Sequence, residues 1–175
     1  MKTILAIAVI GLGTPAGAEV VSATSNGFEV REIVPLVVPP AAVFDSFTNI
    51  AEWWDPQHTY SGDSANLSLT LAPGGCFCER IPKTGGGIEH LRVTYIEPGK
   101  RLILTGALGP LLFEATTGVM DIQVKTIAGG SQVILDYKVA GFANGGAAKL
   151  APAVDEVLTT QMKRLRSYAT SRPKS

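Results

Sequence analysis

Residues 147–169, AAKLAPAVDEVLTTQMKRLRSYA, form the stretch that determines the fold. Its apolar side chains recur every three or four residues, which is the period of an α-helix with one buried face. That face consists of Leu150, Val154, Val157, Leu158, Gln161, Leu165 and Tyr168. Basic residues at 163, 164 and 166 suit the C-terminal end of a helix dipole. The pattern therefore predicts a terminal helix roughly 35 Å long, which must bury this face against another layer.

The chain before this helix supplies that layer as an antiparallel sheet. Runs rich in apolar and β-branched residues alternate with turns built from glycine and proline, as in a β-meander. The predicted strands are residues 28–38, 67–71, 76–81, 88–96, 101–106, 118–126 and 131–141. Residues 19–26 are interpreted as a lead-in without regular structure. A sheet of seven strands is expected to curve strongly.

Two short helices are predicted between the first and second strands. Pro40 suits a first helical turn, and Val43, Phe44 and Phe47 share one helical face. A second short helix covers residues 50–54. The predicted fold is therefore α+β, with two short helices and a long C-terminal helix across a curved seven-stranded antiparallel sheet. Because one helix covers such a sheet only partly, an apolar cavity is expected between helix and sheet.

The N-terminal residues have the pattern of a secretory signal peptide. Lys2 provides a positive charge, residues 4–12 are apolar, and the small residues at 16–18 precede Glu19. We therefore predict a signal peptide at residues 1–18, cleaved after Ala18, and a single domain at residues 19–175 in the periplasm or outside the cell. The apolar run is too short for a stable membrane span. A buried N-terminal helix or an uncleaved anchor are the alternatives.

Composition argues against several classes of partner. The 15 basic and 15 acidic residues give a formal net charge of zero at pH 7, which provides no electrostatic footprint for nucleic acid. No later segment is apolar enough for an integral membrane span, and the sequence identifies no protein partner. We predict that Cys76 and Cys78 are reduced, largely buried thiols, since residues two apart on an extended strand are poorly placed for a disulfide. A bulge at Gly74-Gly75 would relax this constraint.

Several segments resemble one known superfamily. They are PPAAVF at 39–44, WW at 53–54, GGCFCE at 74–79, VTYIEPGKRL at 93–102 and the helix at 150–168. In this order they are similar to the START-related helix-grip superfamily, SRPBCC, in its branch of stress-protein ATPase activator homologues and polyketide-cyclase-like proteins. The resemblance implies a helix-grip fold. It does not decide function, because the superfamily includes lipid carriers, hormone receptors and cyclases.

The candidate ligand-binding residues are mostly aromatic. Trp53, Trp54, Asp55, His58 and Tyr60 form the densest cluster of polar and aromatic side chains, and we expect them to line the mouth of the cavity. The alternative is that the tryptophans pack the short helices and His58 is a solvated loop residue. Further cavity candidates are Phe77, His90, Tyr95, Val154 and Leu158.

Evidence for a metal or a catalytic group is weaker. Cys76, Cys78 and His90 are weak candidates for a zinc site, but a fourth ligand is not evident, and the favoured interpretation is that they are ordinary strand positions with no metal. Glu79, which should face the side of the sheet opposite the cysteines, is a candidate acid or base, as are Glu89 and Glu114. No phosphate-binding loop is present, and no cofactor is predicted.

Three hypotheses follow for function. We expect the protein to bind a small hydrophobic molecule, such as a lipid or a polyketide-like aromatic, in the cavity between helix and sheet. One alternative is a cyclase-like or dehydratase-like enzyme that uses a histidine or glutamate of the cavity. The other is an interaction module of the cell envelope that binds another polypeptide.

Overall fold

The structure, a computed structural model, describes residues 17–172. The predicted signal peptide lies outside these residues except for Gly17 and Ala18. The described chain forms one antiparallel sheet of eight strands in the order β1-β2-β8-β7-β6-β5-β4-β3. The strands are β1 Gly17–Thr24, β2 Gly27–Leu36, β3 Leu67–Leu69, β4 Cys76–Ile81, β5 Gly86–Glu97, β6 Arg101–Gly106, β7 Ala115–Ile127 and β8 Gly130–Phe142.

Helices cover one face of this sheet. They are α1 Pro40–Thr48, α2 Ile50–Trp53 and the long α3 Ala151–Ser171. Short 3-10 segments occur at Pro56–His58, Ser64–Asn66, Gly109–Phe113 and Ala147–Lys149. The α+β class, the two short helices and the long C-terminal helix are as predicted. None of the helices in residues 17–172 is long and apolar enough to cross a bilayer.

The sheet has one strand more than predicted. Residues 19–26 were interpreted as an irregular lead-in, but most of them belong to β1, an edge strand that pairs with β2. All eight residues of β1 are exposed, so its sequence lacks the alternation of buried and exposed positions that marks a half-buried strand. Backbone pairing with β2, rather than a buried face, defines this strand.

Helix α3 begins later than the sequence predicted. Residues 147–149 form a separate 3-10 turn, and Pro152 lies in the first turn of the helix proper, where its missing N–H costs no hydrogen bond. The buried face includes Leu158, Gln161 and Leu165, and it packs against β1, β2 and the two short helices.

The centre of the helix–sheet interface is closely packed, contrary to the prediction of an apolar cavity there. The remaining hollow measures about 30 Å³, which is far too small for an organic ligand. Side chains from all layers fill the space, among them Phe47, Trp53, Phe77, Leu158 and Met162. The two short helices add bulky aromatic residues beneath α3. The part of the sheet that α3 leaves uncovered is therefore covered by α1 and α2. A larger apolar cavity lies at one end of α3 instead, and a hollow of similar volume lies beside Glu32, between α3 and β2.

Strand β4 contains an irregularity that the sequence did not predict. Cys76 and Cys78 form a disulfide, with their Cα atoms 5.3 Å apart, rather than two reduced thiols. The pairing of β4 with β5 shifts register between Phe77 and Cys78, and this bulge brings the two sulfur atoms together. The cysteines are partly exposed, whereas Phe77 and Glu79 point into the protein, so Glu79 does face the side opposite the cysteines.

One buried acid lies beneath α3, away from the cavity described below. Glu32 of β2 is only 3% exposed, and the Thr159 hydroxyl donates a hydrogen bond of 2.8 Å to it. Burial raises the pKa of Glu32 to about 7; the Thr159 hydrogen bond opposes this shift and the charge of Asp155 adds to it. The fold therefore favours the protonated form of this carboxyl group.

This raised pKa predicts how stability depends on pH. The contribution of Glu32 to the unfolding free energy is fully present below its ordinary pKa of 4.5 and is lost as the pH rises through about 7. Between pH 5 and pH 8 we expect this group to cost the wild type on the order of 2 kcal/mol of unfolding free energy, and Glu32→Gln to escape that loss. Urea denaturation at both pH values measures the difference. The exposed Glu156→Gln variant should behave like wild type; equal pH dependence of Glu32→Gln and wild type would contradict the assignment.

Candidate ligand-binding site

The main cavity opens at one end of the interface between α3 and the sheet. Its volume is about 280 Å³, near the lower end of the range for small-molecule sites. Four parts of the chain contribute to its wall: the segment after α2, strand β5, the loop and turn after β6, and helix α3. The lining residues are Trp54, Gln57, His58, Thr59, Tyr60, His90, Leu108, Gly109, Pro110, Phe113 and Val157. Most of this surface is apolar.

A smaller cavity of about 90 Å³ adjoins the main one. The two share Leu108, Gly109, Pro110 and Val157, so an apolar groove continues along α3 beneath the Gly109–Phe113 turn. Val154 lines this smaller part. The groove gives an elongated ligand room to extend away from the polar groups described below.

The Gly109–Phe113 turn is held in place from both sides. On the sheet side, the buried Tyr137 of β8 accepts a hydrogen bond from the Leu108 N–H and donates one to the Gly106 carbonyl, both 3.2 Å long. On the other side, the Tyr60 hydroxyl donates a 2.6 Å hydrogen bond to the Gly109 carbonyl. The Tyr60 ring also contacts the ring of Phe113, which is 76% exposed, edge to face. These contacts join two loops across the mouth of the cavity.

The first polar group of the cavity is His90, which is held in place by the buried carboxylate of Glu79. Glu79 is 1% exposed and accepts hydrogen bonds from the backbone N–H groups of Tyr60 and Ser61. Its Oε2 atom also lies 3.0 Å from Nε2 of His90. Burial by itself would raise the pKa of Glu79, but the hydrogen bonds from Ser61, Tyr60 and His90 lower it below its ordinary value. Glu79 is therefore ionised at neutral pH.

This arrangement fixes the tautomer of His90. An ionised carboxylate only accepts hydrogen bonds, so Nε2 of His90 must carry the proton. Burial lowers the pKa of His90, and the nearby carboxylate offsets this only in part, so the ring is neutral at pH 7. Nδ1 then carries a lone pair. Two buried side-chain polar atoms in residues 17–172 have no hydrogen-bond partner, Nδ1 of His90 and Oδ1 of Asp155, and only His90 lines the cavity.

A second network fixes His58 in the same cavity. Gln161 of α3 is fully buried, and its Oε1 accepts a 2.8 Å hydrogen bond from the backbone N–H of Asp55. A backbone N–H can only donate, so the amide orientation is determined and Nε2 of Gln161 must donate to Nδ1 of His58, 2.9 Å away. Nδ1 of His58 is therefore an acceptor, and the ring carries its proton on Nε2. Arg164 adds a 2.7 Å hydrogen bond to the Trp53 carbonyl, which ties the same segment to α3.

Both histidine rings of the chain lie at this cavity, and each is held in one orientation. His58 carries its ring proton on Nε2, whereas the unprotonated Nδ1 of His90 is buried. An apolar wall with two histidine rings of fixed orientation is suited to a hydrophobic molecule that has a few polar atoms.

The structure divides the predicted cavity residues into four groups. It brings Trp54, His58, Tyr60 and His90 together in the main cavity. It places Trp53, Phe77 and Leu158 around the packed centre. Val154 lies in the adjoining small cavity. Tyr95 lies outside all of these places.

The position of Tyr95 corrects the sequence prediction. Strict alternation along β5 would place Tyr95 on the same inward face as the buried Val93. The pairing of β5 with β6 shifts register between these two residues, and this bulge pairs Tyr95 with the outward-facing Ile103. The Tyr95 side chain is 45% exposed as a result.

The zinc candidates are also separated. Cys76 and Cys78 are joined to each other in the disulfide, whereas the His90 side chain is buried on the opposite face of the sheet beside Glu79. Among residues 17–172 no group of three or more His, Cys, Asp or Glu side chains is arranged to hold a metal ion.

Two parts of the site were missed in the sequence. Gln161 was assigned to the apolar face of the helix without a role, although a polar residue on such a face is itself a signal, because a buried amide requires hydrogen-bond partners. The apolar turn at Gly109–Phe113 falls between the predicted strands 101–106 and 118–126, where no site residue was predicted. Its position over the cavity depends on the long-range contact with Tyr60, which no local pattern reveals.

Comparison with known proteins identifies the fold. No protein-family model and no curated protein sequence matches the chain. An uncharacterised protein from Rhizobium leguminosarum aligns with a TM-score of 0.62 and 16% identity, over 91% of this chain and 100% of that chain. A Rhodobacter sphaeroides protein aligns with a TM-score of 0.53 and 18% identity, over 87% and 97%. DynU16, from the dynemicin biosynthetic locus, aligns with a TM-score of 0.57 and 16% identity, over 82% and 47%.

At these identities the likeness shows the fold alone. The chain shares with these proteins an α+β architecture in which a long C-terminal helix packs on a large antiparallel sheet, and this arrangement is consistent with a helix-grip fold. Two of the three proteins span nearly the same length as the described chain.

The assigned tautomers can be measured directly. In ¹⁵N-labelled protein, two-bond ¹H–¹⁵N correlation spectra at neutral pH should show His90 with an unprotonated Nδ1 and a protonated Nε2. On acidification His90 should gain its second proton only below the ordinary histidine range, because its pKa is lowered. A protonated Nδ1 with a bare Nε2 would contradict the assigned network.

The same network predicts the effect of removing the Glu79 charge. Glu79→Gln replaces a carboxylate that accepts from two backbone N–H groups and from His90, so we expect a loss on the order of 2 kcal/mol in unfolding free energy. The exposed Glu89→Gln variant on β5 is the matched control and should lose much less. Denaturant titration compares the two variants; equal losses would argue against the proposed role of Glu79.

Proposed function

We propose that the protein is an SRPBCC-type binding protein that takes up a small hydrophobic molecule in the cavity at the end of α3. One observation carries the proposal: an open apolar cavity of about 280 Å³ is lined by two histidine rings whose orientations are fixed by hydrogen bonds to Glu79 and Gln161. Apolar walls provide affinity by removing ligand surface from water, and the two polar groups select the ligand.

The size of the cavity narrows the class of ligand. The main cavity with its small extension is suited to a compact ring system or a short acyl chain, and it is too small for an entire membrane lipid. The aromatic residues Trp54, Tyr60 and Phe113 in the wall favour a flat, ring-containing molecule.

The proposal places the protein in the periplasm or outside the cell. The support is the signal-peptide pattern of residues 1–18. Cleavage after Ala18 would remove two residues from β1 and leave its pairing with β2 from Glu19 onward.

The processing step is tested by expressing the full chain with its own leader in a Gram-negative bacterium. We expect the periplasmic fraction to contain a protein whose intact mass corresponds to an N-terminus at Glu19. Recovery of the uncleaved chain from the cytoplasm alone would overturn the export proposal and leave the cavity assignment intact.

Ligand binding is tested by filling the cavity. Val157 lines both parts of the groove, so Val157→Phe should occupy ligand space and lower the affinity for a neutral apolar probe, N-phenyl-1-naphthylamine, by about tenfold or more. Fluorescence titration measures the dissociation constant.

The matched control is Val119→Phe. Val119 lies on the outer face of β7, where it is 43% exposed, so the same substitution there should leave probe affinity unchanged. Absence of probe binding by the wild type, or equal effects of the two variants, would refute the cavity as the binding site.

A further inference from the structure

We propose that the Cys76–Cys78 disulfide is a redox-active site, which exchanges with a dithiol protein and whose reduction weakens ligand binding in the cavity at the end of α3. The partner class is an oxidoreductase that presents two cysteine thiols at its surface. The exchange is a property of the disulfide itself, whereas its effect on the cavity rests on the proposed binding function.

The first observation is that stability does not explain this disulfide. Its two cysteines are two positions apart in the sequence, so the loop that it closes contains only Phe77 between them. A disulfide stabilises a fold mainly by restricting the unfolded chain, and this effect grows with the length of the loop. The contribution of such a short loop is small, and a role in exchange accounts for a bond that stability does not.

The second observation is that the disulfide lies on an open surface. Helices cover one face of the sheet, and Phe77 and Glu79 point toward that face, whereas both cysteines lie on the other and are partly exposed. Strand β3, which borders β4 at the edge of the sheet, has only three residues. Its residue opposite Cys78 is the small, exposed Ser68. The thiolate of a partner can therefore approach the disulfide from the side of β3.

The third observation concerns the charges beside the two cysteines. Arg92 of β5 lies opposite Cys76. Glu89 of β5 lies opposite Cys78. The Arg92 guanidinium is held on this face by a hydrogen bond to the Glu89 carboxylate and by one of 2.7 Å to the Gly74 carbonyl. A neighbouring cation stabilises a thiolate, whereas a neighbouring carboxylate destabilises one. Cys76 is therefore the better leaving group, and Cys78 is the sulfur that is attacked.

The exchange requires the partner's two thiols and no other reactant. A thiolate of the partner attacks Sγ of Cys78, the bond between the two protein sulfur atoms breaks, and Cys76 leaves as a thiolate that takes up a proton. The partner's second thiolate then attacks the partner sulfur that is joined to Cys78, and Cys78 is released and protonated. In total, two electrons and two protons pass from the partner dithiol to the two cysteines, and the partner is left with a disulfide.

The fourth observation links the disulfide to the cavity through the register of β5. Phe77 of β4 lies opposite Leu91. The next residue of β4 lies opposite Glu89, which leaves His90 without a paired residue. His90 is thus the extra residue of a bulge, and it is buried together with its neighbour Leu91. The bulge that turns a histidine of the cavity inward therefore lies directly beside the disulfide.

The disulfide holds β4 contracted at the same place. The Cα atoms of its cysteines are 5.3 Å apart, whereas two residues of a regular strand span about 6.7 Å. Between them, Phe77 packs its ring against Trp54 at 5.2 Å and His90 at 4.9 Å. Breaking the bond frees β4 to lengthen beside the bulge, which loosens the hold on these two residues of the cavity wall. The oxidised protein therefore binds its ligand more tightly than the reduced protein.

The exchange is tested on the purified full-length protein with reduced thioredoxin as the dithiol probe. Alkylation of free thiols followed by intact-mass measurement gives the reduced fraction, and circular dichroism shows whether the fold is retained. We expect the folded wild type to be reduced, and Arg92→Gln to react about tenfold more slowly because Cys76 loses its neighbouring cation. Lys125→Gln removes an exposed cation on β7 and is the matched control, which should react like wild type.

The effect on the cavity is measured by fluorescence titration with N-phenyl-1-naphthylamine. Reduction should raise the dissociation constant about tenfold, as for typical coupling between two sites. Because such coupling is reciprocal, saturation with the probe should make the disulfide harder to reduce by the same factor. The double variant Cys76→Ala/Cys78→Ala should bind the probe like the reduced wild type, and its affinity should no longer respond to thioredoxin.

The outcomes separate the exchange site from the binding function. A disulfide that stays oxidised until the protein unfolds overturns the exchange site, whatever the probe does. Reduction of the folded protein without a change in probe affinity overturns the link to the cavity. If the wild type binds no probe in either state, the binding function and its link to the disulfide fall together, and the exchange is judged from the masses alone. If the double variant does not fold, oxidised and reduced wild type are compared directly.

Discussion

The structure around the cavity depends on the cost of burying one negative charge. A carboxylate removed from water must be compensated by hydrogen bonds. Glu79 obtains them from the backbone of residues 60 and 61 and from His90. Each of these bonds also fixes a part of the site, because the loop after α2 is drawn onto β4 and the His90 ring is held in one tautomer. The hydrogen bonds that stabilise the buried charge of Glu79 therefore also fix the geometry of the cavity.

Helix α3 organises the opposite wall in a similar way. Gln161 and Arg164 lie one turn apart on the helix and bond to residues 53, 55 and 58. The amide satisfies a backbone N–H and a histidine nitrogen at once, so its burial leaves no polar atom unpaired. The helix that closes the sheet thus also positions the donor of the cavity. Because the helix carries both functions, the mouth of the cavity keeps a fixed relation to the packed centre.

The sequence was sufficient for most of the elements and insufficient for features set by register. Periodicity predicted α3, the short helices and the inward-facing strands, because each buries a regular face. Strand β1 was not predicted because it buries no face and so shows no periodicity. Tyr95 and the Cys76–Cys78 disulfide were misjudged for one shared reason: a bulge breaks the two-residue alternation at each place.

Prediction of the candidate site was limited in a different way. The aromatic and histidine cluster from residue 53 to residue 60 was recognisable from composition, and Trp54, His58 and Tyr60 lie in the main cavity. The prediction of a cavity at the centre of the helix–sheet interface was wrong. How closely side chains pack beneath α3 depends on how α1 and α2 dock there, which the sequence does not show. The links between Tyr60 and Gly109 and between His58 and Gln161 span 49 and 103 residues, a separation that local patterns do not encode.

The contact between Tyr60 and Gly109 has a consequence for the rate of ligand exchange. One hydroxyl–carbonyl hydrogen bond and one edge-to-face ring contact join the two loops at the mouth, and such interactions are each worth about 1 kcal/mol. Parting the loops there leaves the ladder of the sheet and the packing beneath α3 undisturbed. Under the proposed binding function, entry and departure of the ligand are thereby uncoupled from global unfolding and proceed on the nanosecond-to-microsecond timescale of loop motion. A tightly folded protein can in this way exchange its contents quickly.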